Sequence, residues 1–434
     1  MPVDDSRLPG FHKLSVTERR RKVAEMALLG AADIATLENY GELDEEAANR
    51  MIENVIGTMS LPVGIATNFV IDGKPYVVPF VVEESSVVAA ASNMAKRCLV
   101  KGGFRTNNDK PIMIGQLQVI GVEDHVAAEK IIFGAKEEII AKCNSLPSTM
   151  IRLGGGCKDI LTRSIQSMSG PMFVIHILVD CRDAMGANAV NTMTEMIAPD
   201  IESLIGGSVK LKILSNLASH RLARASATWT PEELSLDGSR ESGESVILGI
   251  INAYHFADAD PFRAATHNKG IMNAISSVAV ACGQDWRAIE AGCHSWAAYN
   301  NGKYSSITHW EVNSDGDLHG SIECPMAVGI VGGASKVHPA AKANLNILGV
   351  ESSQELAGVI AATGLSQNLA ALFALSTAGI QAGHMKLHAK NMAVSAGAVG
   401  GEIEKIVEFV HNHDGPITQQ SVVSALKKLR ENTL

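Results

Sequence analysis

The stretch F-V-I-H-I-L-V-D-C-R-D-A-M-G-A-N, Phe173 to Asn188, decides the fold. Its first eight residues, apolar and rich in β-branched side chains, read as a strand, and from Ala184 the pattern turns helical as far as Leu204. A strand that feeds a helix through a glycine-bearing turn often seats a phosphate, because free backbone N–H groups and the helix dipole face the ligand. D-A-M-G-A-N is not a G-x-G-x-x-G, so a Rossmann unit is not implied. Working outward, Ile112 to Ile120 reads as a strand and Glu123 to about Cys143 as a helix. The loop N-S-L-P-S-T-M-I-R-L-G-G-G follows, then Lys158 to Gln166 and Met172 to Asp180 as a hairpin, and Val209 to Leu214 as a last strand. The order β-α-β-β-α-β is the split-βαβ, ferredoxin-like unit, spanning residues 111–216.

The whole chain has 434 residues, too long for one ordinary core, so more than one domain is expected. A net charge of −9, with basic residues scattered, argues against nucleic acid or an anionic membrane as partner, since either needs a clustered basic face. The run Arg19 to Lys22 is either a solvated helix face or a phosphate patch. Seven cysteines without a C-x-x-C pair disfavour a disulfide scaffold or zinc ribbon. With no signal-peptide pattern at the polar N-terminus and no long apolar run, a cytoplasmic location is the expectation.

Residues 14–57 read as short helices ending in M-I-E-N-V-I-G, and Pro62 to Glu84 as a hairpin turning at D-G-K-P, Asp72 to Pro75. Ser85 and Ser86 are N-cap candidates for an alanine-rich helix from Val87 to about Lys101, closed by Gly102 and Gly103. Beyond Asn216 the pattern is mainly helical. Asn268 to Tyr299 is apolar on nearly every side, which marks a buried axis. A β-rich stretch covers Ser305 to Val331, and residues 376–434 read as a small appended helical domain that can move.

Several residues can carry chemistry, each with a plainer alternative. Glu83 and Glu84 end a strand in an apolar run: a proton donor, or an exposed strand terminus. Lys269 in T-H-N-K-G can snorkel to the surface or stabilise an oxyanion. Asp285 in G-Q-D-W-R can pair with a lysine or cap a helix turn. Asp183 and Asn188 can bind a ribose or phosphate, or act as an N-cap. In H-M-K-L-H, His384 and His388 share a helix face, but Met385 stands where a zincin needs glutamate, so a single catalytic histidine suits better than a metal site. No G-x-S-x-G elbow and no cysteine nucleophile signature is present.

Taken together, E-N-V-I-G (Glu53 to Gly57), V-V-E-E-S-S (Val81 to Ser86), L-G-G-G-C (Leu153 to Cys157), D-A-M-G-A-N, F-R-A-A-T-H-N-K-G-I-M-N (Phe262 to Asn273), D-W-R-A, G-I-V-G-G-A-S-K (Gly329 to Lys336) and G-H-M-K-L-H-A-K-N (Gly383 to Asn391) run in order over nearly the whole chain. This set resembles the 3-hydroxy-3-methylglutaryl-CoA (HMG-CoA) reductase family, and specifically its soluble bacterial class II form, with no membrane anchor before the motifs. The resemblance implies an α+β fold: a large, mainly helical HMG-CoA domain around a long central helix (1–110 and 217–375), an inserted ferredoxin-like dinucleotide domain (111–216) and a C-terminal flap (376–434). It implies two hydride transfers from NADPH or NADH that interconvert HMG-CoA with mevalonate and CoA, in a homodimer whose active site lies between subunits. Whether dimers assemble into hexamers is left open, as is the physiological direction.

By the same resemblance, Lys269 stabilises oxyanions, Asp285 holds Lys269, Glu84 donates a proton, and His384 on the flap protonates the departing thiolate, with His388 as fallback. Ser86, Arg263 and Asn273 fall where the family binds the substrate's carboxylate and hydroxyl. Asp183, Met185, Gly186, Asn188, Asn216 and Gly155 fall where it holds the dinucleotide, and no metal is implied. Two departures stand out. Ser85 replaces a common proline beside Glu84, and Pro147 stands where an NADH-preferring relative has aspartate. The loop carries Ser145, Ser148, Thr149 and Arg152 but no acid, so tolerance of NADPH is expected. Alternatives are a related acyl-CoA reductase of the same fold, an inactive acyl-CoA or nucleotide-binding regulator and, least supported, a zinc hydrolase.

Overall fold

The computed structural model describes residues 4–40, 43–377, 389–390, 392–412 and 417–431. Ten strands are present among them: β1 Val63–Ile71, β2 Lys74–Val81, β3 Arg105–Thr106, β4 Ile112–Ile120, β5 Gly156–Ser167, β6 Gly170–Asp180, β7 Ser208–Ser215, β8 Leu222–Trp229, β9 Thr308–Val312 and β10 Leu318–Pro325. They form a hairpin β1-β2 and two four-stranded sheets, β3-β8-β10-β9 and β5-β6-β4-β7.

The second sheet is antiparallel throughout, with Ile114 opposite Leu178 and Ile160 opposite Ile177. Its strand order places the first strand of the unit beside the third and the fourth at the edge, the ferredoxin-like arrangement that β-α-β-β-α-β predicts. Met113, Leu117 and Val119 on β4 and Phe173, Ile175, Ile177 and Val179 on β6 alternate inward and pack with Val190, Met193 and Ile197 of the helix Ala187–Ile205. The expected Glu123 to Cys143 helix divides at Ala135 into His125–Gly134 and Lys136–Cys143. A short helix, Thr149–Arg152, sits inside the expected loop, started by the Ser148 cap.

The larger core gathers the other sheet and most remaining helices around Phe104, Trp229 and Trp310. Here two expectations need correction. Asn268 to Tyr299 is two helices, Pro261–Ala281 and Trp286–Tyr299, separated by a turn at Gly283 (φ 64°). The most enclosed helix is instead Ser353–Ser376, buried without a break from Leu356 to Ala370. It is long and apolar enough to cross a membrane, yet its apolar window lies almost wholly inside the protein. A third small core joins Ala389, Ala393, Ile406, Val410, Val422 and Leu426 around the helices Gly401–Asn412 and Gln419–Arg430. His384 and His388 lie outside the described residues.

Candidate active site

The helix Pro261–Ala281 begins at Asp260, whose carboxylate accepts from the Arg263 N–H at 2.8 Å, with Pro261 in its first turn. One face is buried through Ala264, His267, Asn268, Ile271 and Ile275. The face a half-turn away presents Lys269 and, one turn on, Asn273. What fixes that rotation is polar. The His267 Nε2 meets the Thr308 Oγ1 at 3.0 Å and the Ser306 hydroxyl at 2.8 Å, Asn268 donates to the Ser305 carbonyl and accepts from the Ile307 N–H, and Thr308 and Trp310 both donate to Asn368 at 2.9 Å. Burial, reinforced by the Arg263 charge, lowers the His267 pKa to about 3, so the imidazole is neutral. A fully partnered buried network of this kind holds one register.

On the exposed stripe, Lys269 Nζ lies 3.3 Å from Glu84 Oε2, with the two side chains 62% and 39% exposed. Glu84 is delivered by the strand β2 through Val82 and Glu83. Ser86 follows as the N-cap of the helix Val87–Arg97, but with φ 77° and no side-chain capping bond. The expected serine cap therefore holds in position and fails in chemistry. That helix also ends sooner than expected, at Arg97, before a 3-10 turn Leu99–Lys101 and Gly102. The Ser86 hydroxyl is buried with no hydrogen-bond partner. A strained non-glycine residue with an orphaned hydroxyl is a mark of a functional position. Arg263 is half-buried, its pKa lowered by burial, and makes no ion pair among the described residues. The Asn273 side chain is half-buried and likewise without a hydrogen bond there.

Asp285 is elsewhere. Its carboxylate caps the helix Trp286–Tyr299 by accepting from the Ala288 N–H at 3.1 Å, and lies 3.6 Å from Arg287. The chain thus brings Lys269 and Glu84 together and leaves Asp285 apart.

A second site forms at the D-A-M-G-A-N turn. Gly186 starts the helix Ala187–Ile205 with φ 95°, and a Cβ there would collide with the Cys181 sulfur, so only glycine fits. The Asp183 carboxylate accepts from the Ser353 N–H at 2.8 Å and its carbonyl accepts from Ile330 and Val331. The Ala184 and Met185 carbonyls accept from Arg221. Asn188 at the turn is exposed, as is Asn216 after β7, and Gly155 is buried against Met150, to whose carbonyl its N–H donates at 2.9 Å. In the neighbouring loop the Ser145 hydroxyl donates to Lys142, Ser148 caps Met150 and Thr149 accepts from Arg152, while Lys158 and Arg182 both donate to the Gly154 carbonyl. Arg221 and Ser353 brace this turn, and no local motif announces either.

The protein-family model for hydroxymethylglutaryl-coenzyme A reductase matches residues 15–389. The chain belongs to the HMG-CoA reductase family. It is 52% identical to the 3-hydroxy-3-methylglutaryl-coenzyme A reductase of Archaeoglobus fulgidus over 98% of this chain and 95% of that one. A probable HMG-CoA reductase from Borreliella burgdorferi is 35% identical over 87% and 84% of the two chains. Among solved structures, a Streptococcus pneumoniae HMG-CoA reductase superposes with a TM-score of 0.83 at 37% identity, covering 98% of this chain and 99% of that one. The class II enzyme from the same organism, bound to NADPH in open conformations, gives 0.82 at 38% identity over 85% and 99%. The α+β architecture is accordingly that of HMG-CoA reductases, and the activity is the family's oxidoreduction between HMG-CoA and mevalonate plus CoA.

Proposed function

We propose that the chain is a class II enzyme that works as a homodimer, uses a nicotinamide dinucleotide with NADPH accepted, and carries out its proton transfers at the exposed stripe of the helix Pro261–Ala281. The observation that carries this reading is the Lys269–Glu84 pair at 3.3 Å, which sets a cation and a proton source on one spot beside the orphaned Ser86 hydroxyl. When bound, the dinucleotide would supply one hydride, and a second molecule exchanged for the spent one would supply the other. Lys269 stabilises the negative charge that each addition places on the substrate oxygen, a contribution of roughly 3 kcal/mol once water is excluded. The first product collapses to aldehyde and CoA thiolate. His384 protonates that thiolate and prevents its return, and Glu84 donates the proton that completes reduction of the aldehyde. Arg263 suits the substrate's planar carboxylate by its fork of donors, and Asn273 and Ser86 suit its hydroxyl and remaining oxygens.

The D-A-M-G-A-N turn fits a pyrophosphate, since its carbonyls are committed to the protein while the N–H groups of Met185 and Gly186 remain. The absence of any acid from Asn144 to Cys157, with Arg152 and Lys158 in reach, supports acceptance of a 2′-phosphate. The class II assignment draws support from the likeness to the Streptococcus pneumoniae enzyme. Dimer formation draws support from Asp285, set far from Lys269, and from the exposed apolar residues Ile52, Ile56 and Met59 in and beside the E-N-V-I-G segment and Phe262 at the start of the helix Pro261–Ala281. Seven buried free thiols suit a reducing cytoplasm.

Initial rates with HMG-CoA, and with mevalonate plus CoA, each run with NAD(H) and NADP(H), test the reading. Turnover with NADP(H) is expected and favours the biosynthetic direction; activity with NAD(H) alone refutes the cofactor reading, and no activity with either refutes the whole.

A further inference from the structure

Every carbonyl from Arg182 to Gly186 is occupied from within the protein. The Ser353 hydroxyl donates to Arg182 O, the Ile330 and Val331 N–H groups to Asp183 O, the Arg221 guanidinium to Ala184 O and Met185 O at 3.2 and 3.1 Å, and the Val190 N–H to Gly186 O. A trans peptide points its C=O and N–H to opposite sides. By taking the Ala184 and Met185 oxygens, Arg221 therefore aims the N–H groups of Met185 and Gly186 outward, and neither has an acceptor among the described residues. A Cβ at Gly329 would sit 2.6 Å from the Met185 nitrogen, so only glycine lets that segment pack against this peptide.

Arg221 itself is 4% exposed. Its third contact is the Val328 carbonyl, and it makes no ion pair among the described residues. Burial lowers its pKa to about 10, which leaves it cationic at neutral pH. The Asp180 and Asp183 carboxylates act on it from a distance and offset part of that cost, but its direct contacts are carbonyls alone, so its charge is only partly compensated. An anion bound on the far side of the two peptide groups would supply the rest.

We propose that Arg221 is the positioning residue of the dinucleotide site: it hides two carbonyls, aims two N–H groups at the pyrophosphate and sets a fixed positive charge behind them. The inference rests on the reading that this turn binds the dinucleotide. No motif marks Arg221, because its partners come from two segments of chain, both distant from it in sequence.

The test compares Arg221→Met and Arg221→Lys in the full-length enzyme, with KM for NADPH, KM for HMG-CoA, competitive inhibition by ADP-ribose and thermal stability all measured. Arg221→Met is expected to raise the NADPH KM and the ADP-ribose inhibition constant together by roughly 10- to 100-fold, the span of a hydrogen bond to a charged group, while the HMG-CoA KM stays within about 3-fold. Arg221→Lys, which keeps the charge but loses the fork, recovers part of the loss. Equal rises in both KM values, or a fall in melting temperature with both KM values unchanged, overturn the proposal and leave Arg221 a structural strut. Should Arg221→Met not fold, Arg221→Lys decides, since an unchanged NADPH KM in that variant is equally fatal. Asn188→Asp, an exposed change that sets a negative charge beside the turn, separates the two layers. If it raises the NADPH KM and the Arg221 variants do not, only the Arg221 role falls. If it too leaves the NADPH KM unchanged, the turn is not the dinucleotide site.

Discussion

Two chains that are each inactive should restore activity to one another. Lys269 sits in the helix Pro261–Ala281 and Asp285 lies beyond its end. With a rise of about 1.5 Å per residue, the twelve residues from Lys269 to Ala281 alone separate the two by about 18 Å. Asp285 can therefore support Lys269 only from a second copy. In an isologous dimer each site then combines Lys269 of one subunit with Asp285 of the other. Lys269→Ala and Asp285→Asn each damage both sites of their own homodimer; for the asparagine variant a loss of roughly 100-fold or more is expected if the carboxylate preorganises the lysine. A mixed dimer carries both lesions in one site and neither in the other. Purified through two different affinity tags, it should recover about half of wild-type turnover with HMG-CoA and NADPH, one intact site of two. A mixed dimer no more active than its parents refutes the reasoning, because it places Lys269 and Asp285 in the same chain's site.

The His267 pKa of about 3 makes a second prediction. With the folded value below an unfolded value near 6.5, the unfolded state binds the extra proton, so stability is full above about pH 6.5 and falls as pH drops; by pH 5 the loss is about 2 kcal/mol. Urea unfolding at pH 7 and pH 5 should show this loss, and in His267→Gln the pH difference should shrink by that amount; an unchanged difference contradicts the neutral buried imidazole. Ser86→Gly relieves the φ of 77° and should raise stability by about 1 kcal/mol while raising the HMG-CoA KM, the reverse pairing from a purely structural serine. Pro147→Asp puts a negative charge in the acid-free loop and should lower kcat/KM for NADPH by roughly 10-fold while sparing NADH. Equal effects on both cofactors would remove that loop from the 2′-phosphate site.

The ferredoxin-like unit was legible because its strands are long, β-branched and bounded by clear turns, and its element order alone selects the sheet order. Strand β8 was not. In L-A-R-A-S-A-T-W the inward positions are Ala223, Ala225, Ala227 and Trp229, and alanine carries too little hydrophobic contrast, and too much helical propensity, to announce a strand. Asn268 to Tyr299 misled in the opposite sense: continuous apolar character hid the Gly283 turn and made two helices look like one. Lys269 and Glu84 were legible as residue types at suggestive places, and their meeting across 185 positions of sequence needed the fold. Arg221 was illegible, since a buried arginine bound only to carbonyls leaves no pattern around itself.

The helix Ser353–Ser376 ties the two half-sites together. Its N-terminal residue Ser353 receives the Asp183 carboxylate on its N–H and gives its hydroxyl to the Arg182 carbonyl, clamping the D-A-M-G-A-N turn. Asn368, fifteen residues on, takes hydrogen bonds from Thr308 and Trp310 in the network that sets the rotation of the Lys269 helix. Those anchor points lie about 23 Å apart along a straight helix, and a helix buried on every side neither bends nor slides without disturbing a close-packed core. The spacing between the turn and the Lys269 stripe is thus rigid, whereas hydride transfer needs reacting atoms within about 3.5 Å. Approach must then come from ligand length, from a second subunit, or from both, so the proposed dimer would serve the chemistry as well as stability.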